Sequence, residues 1–354
     1  MRELKLRYFE SRNPLAHVVE SDGTTGGSAC RFGIVRNAAQ HHMHFVSACL
    51  EMGLPFRVID LYRSDWLEAV LSSGCDVLLV WADGFLRSWN TLIKDRIAIL
   101  ERELGFPCVP SSSELWMYED KCRTAYWLAA KGIPHPATWV FCNRGEAEEF
   151  AAGCTLPIVF KTTFGAAASG VRIVRSRRAL RALIRSAFGR GIAPGGTEWR
   201  DRQWGSMLLQ EYLPDVREWR MVRVGDSFFG HLKGRIGDFH SGSGAVGWDA
   251  PKPHHLDFLL DVTERGGFRS MDVDVFETPG GLLLVNELQA VFGASISIDQ
   301  SRVGGQAGRF FRSAGEWVFE PGDFARNVCA NERVRDALAR GLCRRKPDAV
   351  RSAS

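Results

Sequence analysis

A chain of 354 residues has room for two or three domains and an ample core. Its 45% hydrophobic and 24% charged residues are ordinary for a globular protein. The 45 basic and 41 acidic residues leave a formal net charge of +4, too mild to mark nucleic acid or a membrane surface as the partner.

The nine cysteines are scattered without a CxxC pair, which argues against a disulfide framework or a zinc ribbon. The opening MRELKLRYFESRNP has no apolar core of signal-peptide length, and no later run approaches a membrane span. The expectation is a cytoplasmic protein with no membrane partner.

In chain order, residues 1–30 start strand-like and pass into the Ser/Gly/Thr loop SDGTTGGS. FGIV is a short strand, 37–52 reads as a helix stopped by Gly53-Leu54-Pro55, and PFRVIDL is a second strand. A helix over 65–72 leads to a third strand, CDVLLVW. This alternation predicts a small parallel α/β domain through residue 110. Ligands of such sheets gather outside the carboxyl ends of the strands, where Arg36, Asn37 and Asp83 fall. His41, His42 and His44 do not share one helical face, so a solvated or partly packed helix accounts for them better than a metal does.

From Ser111 the style changes. SSSELWMYEDK leads into a helix through Lys131, which Gly132, Pro134 and Pro136 end. ATWVF is a strand, 144–152 a helix capped by Asn143, and LPIVFK a strand that delivers Lys161. The loop TTFGAAASG, the strand VRIV and an amphipathic helix over 178–188 follow. Residues 189–205 are Gly-rich and irregular. SMLLQEYL, REWRMVRVG and SFFGHLKGRIG are three successive strands, HSGSGAVG is a loop, and 254–266 is a helix. MDVDVF and GLLLVNELQ then form a hairpin, and the polar tail after about residue 346 is read as disordered.

Several of these stretches carry chemistry. Asp272 and Asp274 lie two apart on one strand face, and antiparallel pairing brings Asp274 (or Asp272) beside Glu287 and Gln289. Two carboxylates and an amide oxygen suit a hard cation such as Mg²⁺. A strand ending in such groups is unlike plain core, because burying an unpaired carboxylate is expensive. Lys161 precedes the small-residue loop from Gly165 through Ser169 to Gly170, whose N–H groups can cradle phosphate oxygens. The GxxxxGK[ST] order of a P-loop is absent, and alone this loop reads equally well as a hairpin turn. Lys121 alone is a surface lysine, and Gln210-Glu211-Tyr212-Leu213 alone is a strand end whose main chain can pair with an adenine edge. Glu218 and Arg220 share one strand face. His231, Lys233 and Arg235 share another, and the acidic hairpin follows them.

In that order the set resembles the ATP-grasp superfamily, most closely the RimK-type and glutathione-synthetase-like carboxylate–amine ligases. The resemblance runs over about 111–293 and includes DKCRTAYWLAAKGIPHPATWV. It implies an α/β class with α+β subdomains: a parallel α/β domain over 1–110, a first ATP-grasp subdomain over 111–205, a second with the metal site over 206–345, and a tail over 346–354. It implies that Lys121 and Lys161 hold the phosphates of ATP and that the 165–170 loop covers them. Gln210, Glu211, Tyr212 and Leu213 would form the adenine hinge, and Glu218 would approach the ribose. Arg220, with Lys233 or Arg235, would stabilise the transferring phosphoryl group. Asp274, Glu287 and Gln289 would hold Mg²⁺ (or Mn²⁺), with Asp272 competing for Asp274's place. Three positions depart from the family: Gln289 where Asn is common, Glu218 where Asp is common, and Thr162 where Pro is common.

The implied reaction converts a carboxylate to an acyl phosphate and joins it to an amine, giving an amide, ADP and phosphate. Amino acids or peptides fit as substrates. The 240–248 loop would cover the site, and a homo-oligomer is compatible with the family. The rivals are an ATP-grasp kinase, a carboxylate–thiol ligase, an ATP-binding regulatory protein without turnover and, weakest, nucleic-acid binding through 172–190.

Overall fold

The computed structural model describes residues 1–24, 30–165, 168–195, 198, 200–237, 245–293 and 299–343. The tail over 346–354, residues 166 and 167 of the small-residue loop, and residues 240–244 of the expected covering loop lie outside them.

The first third of the chain contains α1 (Arg2–Glu10), β1 (Glu20–Ser21), β2 (Phe32–Val35), α2 (Met43–Glu51), β3 (Phe56–Ile59), α3 (Trp66–Leu71), β4 (Val77–Leu79), α4 (Arg87–Arg102) and β5 (Cys108–Val109). These strands form a sheet in the order β1-β3-β2-β4-β5. β2 to β5 run parallel and β1 is an antiparallel edge. Then come α5 (Ser112–Met117), α6 (Lys121–Lys131), β6 (Thr138–Phe141), α7 (Arg144–Gly153), β7 (Ile158–Lys161), β8 (Val171–Val174), α8 (Arg177–Phe188) and β9 (Met207–Glu211). Their antiparallel sheet runs β6-β9-β7-β8.

The rest comprises β10 (Arg217–Val224), β11 (Ser227–Lys233), β12 (Val246–Gly247), α9 (Pro253–Gly266), β13 (Ser270–Glu277), β14 (Leu283–Gln289), β15 (Arg302–Val303), β16 (Gln306–Ser313), β17 (Glu316–Pro321) and α10 (Ala330–Ala339). Its eight-stranded sheet runs β14-β13-β10-β11-β16-β15, with β12 on β11 and β17 on β16. The alternation along β10 and β13 sends Trp219, Met221, Val273 and Val275 into a core that the parallel sheet shares. Leu256, Leu259 and Val262 of α9 belong to that core. The four-stranded sheet has its own core around Phe160, Leu209 and Ile184.

Three expectations need correction. Residues 2–10 form a helix, not a strand. Leu4 and Leu6 mimic strand alternation, yet only Leu6 is buried, and the helix is held by tertiary contacts. Arg2 donates to both carboxylate oxygens of Asp60, and Lys5 sits 3.6 Å from the centre of the Phe85 ring. The helix expected over 37–52 starts only at Met43, because Asn37 turns the chain by accepting the N–H of Ala39. Cys30 and Cys343 form a disulfide across 313 residues, with Cα atoms 4.9 Å apart. Linear spacing carries no information about a pair that only the fold brings together. α4, α10 and the β16–β17 hairpin were not delineated from the sequence.

Candidate active site

A cavity of about 450 Å³ opens between the four-stranded sheet and the polar face of the eight-stranded sheet. One wall of it is the antiparallel pair β13 and β14. Asp274 stands opposite Glu287 and Asp272 opposite Gln289. The register slips by one residue between Asp274 and Val275, so that Val275 faces Val285. Asn286 is the extra residue of this bulge. Strict alternation from Val285, which is core, would put Glu287 on the core face. The bulge turns it to the cavity instead.

Two lysines meet this bulge. Lys161, at the end of β7, donates to Asn286 Oδ1 at 2.7 Å. Lys121 opens α6, whose N-terminus Asp120 caps through the N–H of Arg123. Lys121 Nζ lies 3.0 Å from Glu287 Oε1 and donates to the carbonyl of Gly165 at 2.7 Å. Burial drives the Lys161 pKa down to about 8, although carboxylates oppose the shift. Burial would also lower Lys121, but Glu287 and Glu119 outweigh it and hold its pKa above the ordinary value. The loop after Lys161 needs Gly170, where a Cβ would lie 1.8 Å from Thr162 Oγ1. Thr162 donates its hydroxyl to the carbonyl of Phe164 at 2.8 Å. Ser169 and Gly165 sit on the same turn, within 3.2 Å when a Cβ is built on the glycine.

The floor carries a buried charge network. Lys233 donates to Glu218 at 2.8 Å and to Asp274 at shorter range. Arg220 Nε lies 3.2 Å from Asp272 and 3.6 Å from Asp274. Burial would raise the Asp274 pKa, but Lys233 and Arg220 prevail and hold it low. Asp272 is raised, because burial outweighs Arg220. Arg235, past the end of β11, is exposed at the cavity rim and donates to the carbonyl of Gly237. Arg36 is paired with Glu10 and does not line the cavity.

At the other end lie Gln210, Glu211, Tyr212 and Leu213, with Val159, Ile173 and Phe276 as apolar walls. The Glu211 carboxylate accepts the N–H of Ala137 at 2.7 Å, and Gln210 donates to Thr138 at 3.1 Å. Both side chains thus tie β9 to β6. Glu218 is almost fully buried beneath Lys233.

Gln289 has both halves of its amide engaged. Its oxygen accepts the N–H of Glu119 at 3.1 Å, and its nitrogen donates to Glu287 at 3.0 Å. Several buried carboxylate oxygens accept nothing from the described residues: Asp274 Oδ1, Asp272 Oδ1 and Oδ2, and Glu119 Oε2. Such orphans are rare and ask for a ligand. Of these, Asp274 Oδ1 stands opposite Glu287, and the two carboxylates make a hard-oxygen pair that fits a divalent cation such as Mg²⁺.

Among the described residues, one group of three His, Cys, Asp or Glu side chains gathers its ligating atoms within 4.8 Å, namely His254, His255 and Glu277. It lies on the opposite, α9-covered face. His255 Nδ1 accepts the N–H of Lys252, which puts the ring proton on Nε2 facing Glu277. A proton there leaves no lone pair for a metal, and the group is a helix cap.

Sequence reasoning did not assign Asn286, Glu119, Trp81 or Phe292 to the site. His41 stacks on Trp81 with ring centres 5.2 Å apart, and both line the cavity with Phe292. Burial lowers the pKa values of His42 to about 3 and His44 to about 4. The one available signal was the position of Trp81 at a strand's carboxyl end.

No family model matches the chain. It is 28% identical over 183 residues to carnosine synthase 1 of Mus musculus, a match that covers 48% of this chain and 21% of that protein. The chain thus spans about a fifth of the curated relative's length. Among solved structures, it is similar to an N5-carboxyaminoimidazole ribonucleotide synthetase in its ADP complex, with TM-score 0.57, 16% identity, and 79% of this chain and 76% of that one covered. An ATP-grasp RimK domain protein of Sphaerobacter thermophilus gives TM-score 0.52 at 18% identity, covering 73% and 90%. A D-alanine–D-alanine ligase of Bacillus anthracis gives 0.51 at 15%, covering 74% and 86%. Among the described residues no helix is long and apolar enough to cross a membrane.

Proposed function

We propose that this chain, which has the ATP-grasp fold, is an ATP-dependent, ADP-forming ligase that joins a carboxylate to an amine. The observation that carries the reading is the convergence of two lysines, the partly buried Lys121 and the buried Lys161, on Glu287 and Asn286, opposite Asp274. Such an arrangement exchanges its lysine–carboxylate contacts for lysine–phosphate and carboxylate–cation contacts when nucleotide enters.

In this reading the apolar end between Val159, Ile173 and Phe276 takes the adenine, with Gln210 to Leu213 as the hinge and Glu218 toward the ribose. Lys121, Lys161 and the Gly165–Gly170 turn hold the phosphates. Asp274 and Glu287 would hold Mg²⁺, which when bound offsets charge on the phosphoryl oxygens. Gln289 fixes the Glu287 carboxylate through its amide nitrogen.

The substrate carboxylate attacks the γ-phosphorus, the bond to the β-phosphate oxygen breaks, and ADP leaves. The amine nitrogen then forms a C–N bond to the acyl carbon, and the C–O bond to phosphate breaks. Of the two protons the ammonium sheds, one goes to phosphate and one to solvent. Arg220 and Lys233, with Arg235 at the rim, face the charge that builds in both steps.

The test is ADP release from Mg-ATP with pooled amino acids, peptides and small carboxylates, with hydroxylamine as a surrogate amine and Glu287→Ala as control. Substrate-dependent ADP with a hydroxamate supports the acyl phosphate route. ADP without hydroxamate or amide turns the reading toward a kinase. Nucleotide binding without turnover turns it toward a regulatory protein.

A further inference from the structure

We infer that Asp272 is the anchor for the positively charged amine of the second substrate, set apart from the metal carboxylates. The inference rests on the ligase reading above and assigns one of its two substrates a contact.

Along β13 the cavity face reads Ser270, Asp272, Asp274, each step spanning roughly 7 Å at 3.3 Å per residue. Asp274 is the end committed to Glu287 and the lysines. Ser270 is the end held by Arg333, which donates to its hydroxyl at 2.8 Å. Arg333 itself packs 5.0 Å from the Phe292 ring centre and 5.9 Å from that of Trp81. Asp272 therefore stands one step from the metal pair, on the side of the aromatic wall.

Asp272 is 1% exposed and lines the cavity, and neither of its oxygens accepts a hydrogen bond from the described residues. A buried carboxylate in that condition is unfavourable unless a donor arrives. Arg220 supplies charge at 3.2 Å but no hydrogen bond. The ligand that completes the site brings N–H donors to those oxygens, and an ammonium does so through charge-assisted bonds. An anion there would be repelled by Asp272. The amide of Gln289, the residue opposite Asp272, is already engaged at both ends and leaves no oxygen lone pair committed to a metal there. Trp81, His41 and Phe292 line this end of the cavity.

The test uses the full chain, Mg-ATP, and an amino-acid pool serving as both carboxylates and amines, with amides read by mass spectrometry. Hydroxylamine, largely uncharged at neutral pH, competes as the second amine. Asp272→Asn and Asp272→Ser should each raise the KM for the amine at least tenfold, while the KM for ATP moves less than twofold. The hydroxamate-to-amide ratio should shift tenfold or more toward hydroxamate. Mn²⁺ bound together with ADP, counted by electron paramagnetic resonance, should keep its wild-type stoichiometry, which also reports that the variants fold. Loss of a Mn²⁺ ion in both variants would place Asp272 among the metal ligands and overturn the assignment. An unchanged amine KM and an unchanged ratio would overturn it equally. If the wild type forms no amide from any amine, the ligase reading falls and this assignment falls with it. If the wild type forms amide and the variants match it, this assignment alone falls.

Discussion

Asp274 and Glu287 face each other directly across β13 and β14, yet each carboxylate is held by a lysine from another element: Asp274 by Lys233, Glu287 by Lys121. Two like charges on adjoining strands destabilise a sheet unless counter-ions or a bound cation balance them. The site is therefore charge-balanced before nucleotide arrives, and its balance must be rearranged to admit a metal.

Removing one partner exposes that balance. Glu287→Ala leaves the partly buried Lys121 without its carboxylate, at a cost of about 1–3 kcal/mol, below the range for a fully buried pair. Glu287→Ala with Lys121→Met should recover most of that stability in chemical denaturation. Neither variant should release ADP. Full turnover in Glu287→Ala would sink the metal assignment.

The depressed pKa of Lys161 gives a pH signature. Below about pH 8 the lysine is charged and ready for phosphate. Above it the free protein must take up a proton to bind, so ATP affinity should fall as pH rises from 8 toward 10. Lys161→Arg should flatten that slope, since guanidinium stays charged. For stability the sign is opposite. An unfolded lysine keeps its ordinary value near 10.5, so between pH 8 and 10.5 the unfolded state binds more protons and this group makes stability rise with pH. Calorimetric titration and denaturation across that window measure the two trends.

Gly170→Ala forces a methyl group into the Thr162 hydroxyl. Overpacking of this kind costs about 1–3 kcal/mol. The variant should melt earlier and bind nucleotide at least several-fold more weakly. Adding Thr162→Ala removes the closest atoms and should restore part of both losses.

Arg220→Met should lower kcat by about 10²–10³, the range for removing one donor to a developing oxyanion. The Kd for ATP should move far less, because Arg220 sits with Asp272 and Asp274 and not at the hinge. Equal losses in kcat and ATP affinity would place it in nucleotide binding instead.

The order Lys161, Glu218, Arg220, Asp274, Glu287 was legible because each residue ends or alternates on a strongly apolar strand, and the hairpin MDVDVF…LLLVNELQ dictates which residues face each other; Lys121, which opens a helix, was read only from its place in that order. Three features were not. Helix α1 is marked by its tertiary anchors, Asp60 and Phe85, which lie dozens of residues away. Trp81 and His41 meet only after two parallel strands are laid side by side. Helix α10 earns its place through Arg333, a fully buried cation whose partners, Ser270 and the carbonyl of Val328, no periodicity announces.

The slip in register at Asn286 has a consequence for how the hairpin tolerates changes in length. Its two ends are counted separately: Leu284 and Val285 against Phe276 and Val275, Glu287 and Gln289 against Asp274 and Asp272. Excising Asn286 would leave both counts intact and remove only the anchor of Lys161. Excising Leu288 would shift one count by a residue and turn its side chains over, and excising Val285 would keep both counts but set Asn286 in the core slot opposite Val275. A one-residue deletion scan across the hairpin should therefore show a single permissive position, at which the fold survives and nucleotide affinity alone declines.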